Sequence, residues 1–469
     1  MRNLLPYILV LWTVTAIAQN KQVLYGLEEI PQNLMMNPGS SVSQNEHYGI
    51  PFFSHFHLNG GASGVSVYDI FGKSDVDINT RIGNKISELT DKDFFTFTEH
   101  LELINFGWLA KNKLYFSGGI YQELDFILYF PKDLATLAWE GNQNYIDYEF
   151  DLGEISTTGD LLTVYHFGVN KKFNNKLTAG LRAKIYSSIL SFRSTKNQGT
   201  FVTRLGDDDS PNVYEHTLED VDVSVETSGI ASLEDMDGAS KLIGRAFFGG
   251  NLGVGIDLGA TYKITNRVTA TASVLDVGAI FHTKDVETYQ SRSNYTLNGI
   301  EFIFPPLADG QSTIPYYENL EDEVEEEVPI DTLYNSYTQF RPVKINASLK
   351  YSFGKPIDGG TDCNCYDMSG GISRNQAVGL QYYSIFRPKG PQVAGTLFYY
   401  RRLFEFLSAK VTYTVDSYSS SNIGLGVVVD LGKLNFYIAA DNLMYYGNIA
   451  KAKSVSLQLG FNIKIVNNE

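Results

Sequence analysis

Four groups of side chains in this chain have types and spacing that could do chemistry. His55 and His57 lie two residues apart, so on a strand both rings point the same way and could share a metal ion. A lone pair of this kind is more commonly an ordinary polar contact, and no metal is expected. Cys363-Asn364-Cys365 sets two thiols in a glycine-rich stretch, able to hold a soft metal or close a strained disulfide. An inert turn pair is the simpler reading. Asp207-Asp208-Asp209 offers oxygen ligands suited to calcium but lacks the ligand spacing of an EF-hand loop. Residues 318–327 carry seven carboxylates, which repel one another and stay in water. At a pore mouth such a block would gather divalent cations and turn anions away.

None of these groups makes a catalytic constellation. The chain has no G-x-S-x-G elbow, no H-E-x-x-H pair and no Walker loop, so no enzyme and no cofactor are implied. A formal charge of -16 argues against a nucleic-acid partner, whose phosphates need a basic surface. A different set of charges stands out by its placement. Arg182, Lys184, Lys263, Lys344, Lys350, Lys410 and Lys464 are interspersed with Asp257, Asp416, Asp430 and Asp441. They fall on the polar sides of alternating segments, and a mixture of signs suits pairing across a filled interior. An open, ion-selective pore would show a ring of one sign.

What must position such charges is a set of long strands. In "SVSLQLGFNIKI", Val455, Leu457, Leu459, Phe461, Ile463 and Ile465 alternate with Ser, Gln, Gly, Asn and Lys. "VGIDLGATYKI" sets Val254, Ile256, Leu258, Ala260, Tyr262 and Ile264 against Gly255, Asp257, Gly259, Thr261 and Lys263. "LTAGLRAKI", "VKINASLKYSF" and "LSAKVTYTV" repeat the pattern. Strict alternation is the signature of strands with one apolar and one polar face. In residues 268–281 the register breaks around Asp276. Short polar links such as Lys111-Asn112-Lys113, Asn174-Asn175-Lys176 and Thr265-Asn266-Arg267 alternate with long ones near 70–93, 129–160, 194–250 and 283–341. Tight turns on one side and long loops on the other are the asymmetry of an outer-membrane barrel, and the count comes to about fourteen strands. The apolar faces then meet lipid, because a spanning sheet must close on itself.

The N-terminus fits that destination. Arg2, an apolar run from Leu4 to Ile17 and the sequence Ala16-Ile17-Ala18 make a signal peptide over residues 1–18. With 42 Gly, 30 Tyr and 29 Phe against two Cys, the composition suits strands with aromatic ends rather than a disulfide scaffold. Residues 19–55 do not alternate and contain Pro31, Pro38 and Pro51, so they are expected to stay out of the barrel wall. Leu24, Tyr25, Leu27, Ile30, Leu34, Met35 and Met36 nevertheless need burial, in the lumen as a plug or against a periplasmic partner. Asn37-Pro38-Gly39 would supply the turn that reverses the chain inside. The barrel itself is expected over residues 56–469.

The two ends also carry a resemblance. "DNLMYYGNIAKAKSVSLQLGFNIKI", residues 441–465, resembles the closing hairpin of an uncharacterised family of Bacteroidota outer-membrane barrels. "NLMMNPGS", residues 33–40, resembles the Asn-Pro-Ala segment of that family, with Gly39 in the Ala position. Asn-Pro-Ala also occurs in PorP/SprF barrels of secretion and gliding, and similar architecture in FadL-like fatty-acid porins. The resemblance implies an all-β transmembrane antiparallel barrel in the cell outer membrane. It implies a channel or transporter for small molecules, hydrophobic ones included, with a small-molecule ligand in the lumen. The alternative it leaves is a structural component of a secretion or motility complex with a periplasmic or membrane partner. Outer-membrane lipids surround the barrel in either case.

Overall fold

A computed structural model of the chain describes residues 21–206, 213–233, 238–297, 329–356 and 374–466. The expected signal peptide at 1–18, Asp207 to Asp209, the acidic block at 318–327 and the Cys363/Cys365 pair lie outside the described residues.

The alternating segments are strands that close into one antiparallel barrel of fourteen. β1 is broken into Glu46–Gly49 and Phe56–Ala62. β2 (Phe94–Leu109), β3 (Leu114–Tyr129), β4 (Thr157–Lys172) and β5 (Leu177–Leu205) follow. Next come β6 (Asn251–Lys263), β7 (Val268–His282) and β8, itself split into Tyr337–Phe340 and Lys344–Pro356. β9 (Arg374–Arg387), β10 (Gly390–Phe404) and β11 (Leu407–Val415) lead to β12 (Asn422–Leu431), β13 (Leu434–Ala440) and β14 (Ser454–Ile465). Each strand pairs with its sequence neighbour, and β1 pairs with both β2 and β14, so the sheet has no free edge across the wall. That closure is what a bilayer demands of a sheet.

Alternation decides which medium each face meets. On β6, Leu258 is 49% exposed while Asp257 beside it is 0% exposed. Val254, Ile256 and Tyr262 follow Leu258 outward, and Thr261 follows Asp257 inward. On β14, Phe461 and Ile463 face out while Gln458, Asn462 and Lys464 are buried. A wall that is apolar outside and polar inside belongs in lipid. The length agrees: β2 has 16 residues, which at about 3.3 Å each and a tilt near 40° span roughly 40 Å. Phe106, Trp108, Phe116 and Phe167 stack ring against ring across the outer face of β2, β3 and β4, beside the short turns. Aromatic rings favour that depth, where lipid tails give way to headgroups.

The two ends differ as their link lengths imply. One end has tight turns at 110–113, 173–176, 264–267, 405–406 and 432–433. The other carries the helices Val67–Phe71, Ile78–Glu88 and Lys132–Glu140. There β5 continues for 29 residues and pairs beyond the wall with Tyr214–Ser228, which pairs in turn with Val286–Leu297. Residues 194–205, expected as loop, are therefore strand, because they find this hairpin partner outside the membrane.

The start of the wall needs a correction. Residues 19–55 were expected to lie outside it, yet Glu46–Gly49 pairs with both β14 and β2. His47 is buried and Tyr48 points outward, an alternation too short to see as a period. Pro51 has no N–H to donate, and Phe52 has φ 64°, so the ladder lapses over residues 50–55 and resumes at Phe56. Residues 21–44 precede this first strand and pack against inward-facing wall residues. Val23, Leu24, Leu27 and Ile30 are buried against Val428, Tyr437 and Ala439 of β12 and β13.

Candidate functional site

The site is the lumen, and it is filled in two layers. The layer nearer the short turns is the N-terminal segment, whose own turns pair part of its carbonyls. Wall side chains take up others. Arg182 Nη2 donates to Met35 O at 2.6 Å and Ser273 Oγ to Met36 O at 2.6 Å. Lys410 Nζ donates to Gln22 O at 3.1 Å and Tyr25 O at 2.7 Å, and Gln381 Nε2 reaches Tyr25 O at 2.9 Å. Lys464 Nζ donates to Glu29 O at 2.9 Å. Lys350 pairs with Glu28 at 2.6 Å. Gln32 bonds to Glu102 and Asn462 at 3.0 and 2.9 Å. Asn170 Nδ2 donates to both Pro38 O and Ser40 O, at 2.7 and 2.9 Å.

The second layer, toward the long loops, is a network of ion pairs. Arg182 and Asp257 are register partners on β5 and β6, 2.5 Å apart. Lys184 lies 3.0 Å from Asp257 and also pairs with Asp276. Lys344 bridges Asp276 at 2.9 Å and Glu123, across the lumen on β3, at 3.0 Å. Arg341 joins Glu123 at 3.3 Å to Asp160 at 3.1 Å. Arg387 grips Asp125 with two bonds of 2.7 and 2.8 Å. Five cations (Arg182, Lys184, Arg341, Lys344, Arg387) thus meet five carboxylates (Glu123, Asp125, Asp160, Asp257, Asp276). A charge-balanced set is the condition for keeping so many ions out of water.

Arg182, Lys184, Asp257, Lys410, Asp416, Asp441 and Lys464 are buried in this interior, and Lys344 and Lys350 reach partners there, while Lys263 is half-buried at the end of β6. Lys464 also pairs with Asp430. Asp441 is buried just past β13, and its N–H donates to Ser456 O at 3.2 Å. Asp416 is buried and accepts from the Tyr418 and Ser419 N–H groups at 2.9 Å. Asn37, Pro38 and Gly39 form a turn in which Ser40 N–H donates to Asn37 O at 2.9 Å. His55 and His57 both face inward, with His55 stacked edge-on to His100 at 5.0 Å. Among the described residues no three or more His, Cys, Asp or Glu side chains are arranged to hold a metal ion.

The strands also bring in residues that the spacing did not mark. Glu123 and Asp125 sit on β3, Asp160 on β4, and Arg341 between the two halves of β8. Asp276 is a bulge residue with φ 60°, and the β7 register with β6 shifts between Val274 and Val277. Leu275 and Asp276 therefore both turn inward. Between the layers lies a small cavity of about 60 Å³ bounded by Lys21, Met36, Tyr121, Lys184, Asp276 and Lys344. Lys21 Nζ is 2.9 Å from His100 Nδ1. Loss of hydration in the lumen draws the Lys21 ammonium down to about 7, against the pull of Glu123.

With this geometry in view, comparison with known proteins is informative about family. Residues 38–441 match a family described as a family of unknown function, DUF5723. The chain belongs to the DUF5723 family. No curated protein matches it. Among solved structures, this DUF5723 barrel is similar to the Pseudomonas putida toluene transporter TodX, with 9% identity and TM-score 0.37 over 96% of this chain and 94% of that one. The CymD monoaromatic hydrocarbon channel gives 8% identity and TM-score 0.42 over 97% and 100%. A Pseudomonas aeruginosa FadL homologue gives 10% and 0.43 over 96% and 100%.

Proposed function

We propose that this DUF5723 barrel is a gated outer-membrane channel for small molecules, closed by its own N-terminal segment. One observation carries the reading: residues 21–40 hydrogen-bond to inward groups on ten strands, β2, β4 to β11 and β14. Most of these bonds join a wall side chain to a carbonyl of the segment. Each is worth about 0.5–1.5 kcal/mol net, and water can replace each one, so the closure is firm yet reversible. The cavity wall mixes Met35, Met36 and Leu275 with Tyr121, Lys184 and Lys344. That mixture suits cargo with both apolar and polar surface, which includes small hydrophobic molecules with a polar end. Uptake of small aromatic and sugar solutes by proteoliposomes tests the reading. Uptake should rise when the anchors Lys410 and Lys464 are replaced by Met, and unchanged impermeability of those variants would count against it.

A second reading has its own support. The balanced ion-pair layer ties β3, β4, β5, β6, β7, β8 and β9 together across the interior, a bracing that suits a membrane anchor in a secretion or motility complex. Recovery of a stoichiometric periplasmic or membrane partner after gentle extraction, with no uptake by any variant, would favour it.

A further inference from the structure

The inner wall has a seat shaped for one turn of the N-terminal segment. Gly180 on β5 and Gly259 on β6 are direct register partners, and both lie on the inward face, in line with Arg182 and Asp257. Two glycines side by side leave a notch, whereas every other inward pair of β5 and β6 carries at least one side chain. The Asn37-Pro38-Gly39 turn fills it. A Cβ on Gly180 would fall on the Pro38 carbonyl, and one on Gly259 on the Asn37 side-chain oxygen. One on Gly39 would strike the Gly259 carbonyl. None of the three glycines is described with positive φ, so close approach, not backbone conformation, excludes a side chain here.

Polar contacts fix the turn in place. Asn37 Oδ1 accepts the Gly39 N–H at 2.9 Å, which shapes the turn, and Asn37 Nδ2 donates to Ala260 O at 3.3 Å. From β4, Asn170 reaches over the turn to the Pro38 and Ser40 carbonyls. Beyond Ser40 the chain runs directly into the wall at Glu46–Gly49.

We propose that the Gly180–Gly259 notch, with Asn170, is a docking site on the inner wall for this chain's own Asn-Pro-Gly turn, and that it holds the segment closed. The inference rests on the closure reading above and names the residues that enforce it. Residues 21–36 are then a flap tethered at its C-terminal end, whose release begins at the Lys21 end.

The test uses the full chain with Gly180→Ala, Gly259→Ala and Asn170→Ala, and Gly395→Ala as control. Gly395 faces outward with open space around it. Each is made in a background with Cys363 and Cys365 as Ser and Met36→Cys as reporter. Two quantities are read: labelling of Cys at position 36 by a membrane-impermeant maleimide, and opening frequency in planar bilayers. Overpacking at either notch glycine should raise both by roughly tenfold or more, while Gly395→Ala leaves both unchanged. Asn170→Ala adds no bulk and should raise both to a smaller extent, so the site stays testable if a notch variant fails to assemble. Labelling and opening equal to the control in all three variants overturn the docking site. Labelling that rises without added openings supports the docking site and overturns the closure reading on which it rests.

Discussion

Replacing Lys344 by Met probes the ion-pair layer at its most connected cation. The Nζ lies 3.0 Å from Glu123 and 2.9 Å from Asp276, and the side chain is only 13% exposed. Met keeps much of the volume and removes the charge, leaving four cations against five carboxylates. Glu123 retains Arg341 at 3.3 Å and Asp276 retains Lys184, so neither acid is fully stranded. Removing one member of a buried pair costs about 3–5 kcal/mol, and the retained partners place the loss near the lower end, about 3 kcal/mol. The assay is reversible guanidinium unfolding of the barrel in lipid or detergent, followed by tryptophan emission. Adding Glu123→Gln to Lys344→Met restores charge balance and should return about half of the loss, since the two sites share one contact. A loss under about 0.5 kcal/mol, the scale of an exposed site, would show that water reaches these ions and would refute the dry, braced interior.

Other outcomes follow from the same structure. Boiled and unboiled samples should migrate differently on a denaturing gel, because the closed wall keeps its backbone bonds internal; equal mobility together with recovery in the soluble fraction would contradict a barrel. The Lys21 ammonium has a pKa of about 7 when seated and an ordinary value near 10.5 when released, so release takes up a proton. Opening should therefore become more frequent as pH falls from about 10 to 7 and level off below that, and Lys21→Met should remove the dependence. An epitope inserted after Asp322 should be reached by antibody on intact cells, and one after Asn266 should not, with the reverse pattern overturning the assigned sides.

Much of the wall was legible in the sequence because alternation has no alternative meaning over ten residues. Val254 to Ile264 and Val455 to Ile465 show their lipid face directly, and the charges between them had to point inward. That placed Arg182 and Asp257 on the lumen side, where the structure makes them register partners. What stayed hidden depends on pairing between distant strands. Nothing near Glu123 or Asp125 marks Lys344 and Arg387 as their partners, since those contacts cross the lumen over more than two hundred residues of chain. Asp276 was visible only as a break in rhythm; the bulge that causes the break also supplies the carboxylate that two lysines share. Glu46–Gly49 was missed because four residues are too few to show a period, and Pro51 hid its continuity with Phe56–Ala62. The glycine notch was invisible for a similar reason: Gly180 and Gly259 become neighbours only once β5 and β6 are in register.

The most direct test of the account is single-channel conductance of the barrel lacking residues 22–36, measured beside the full chain. That stretch supplies the apolar cluster around Val23, Leu27 and Ile30 and most of the carbonyls gripped by the wall. Removal should leave a heat-modifiable, folded barrel with raised conductance. A folded, heat-modifiable protein that conducts no more than the full chain would contradict closure by the N-terminal segment and leave the ion-pair layer, or a docked partner, as what seals the lumen.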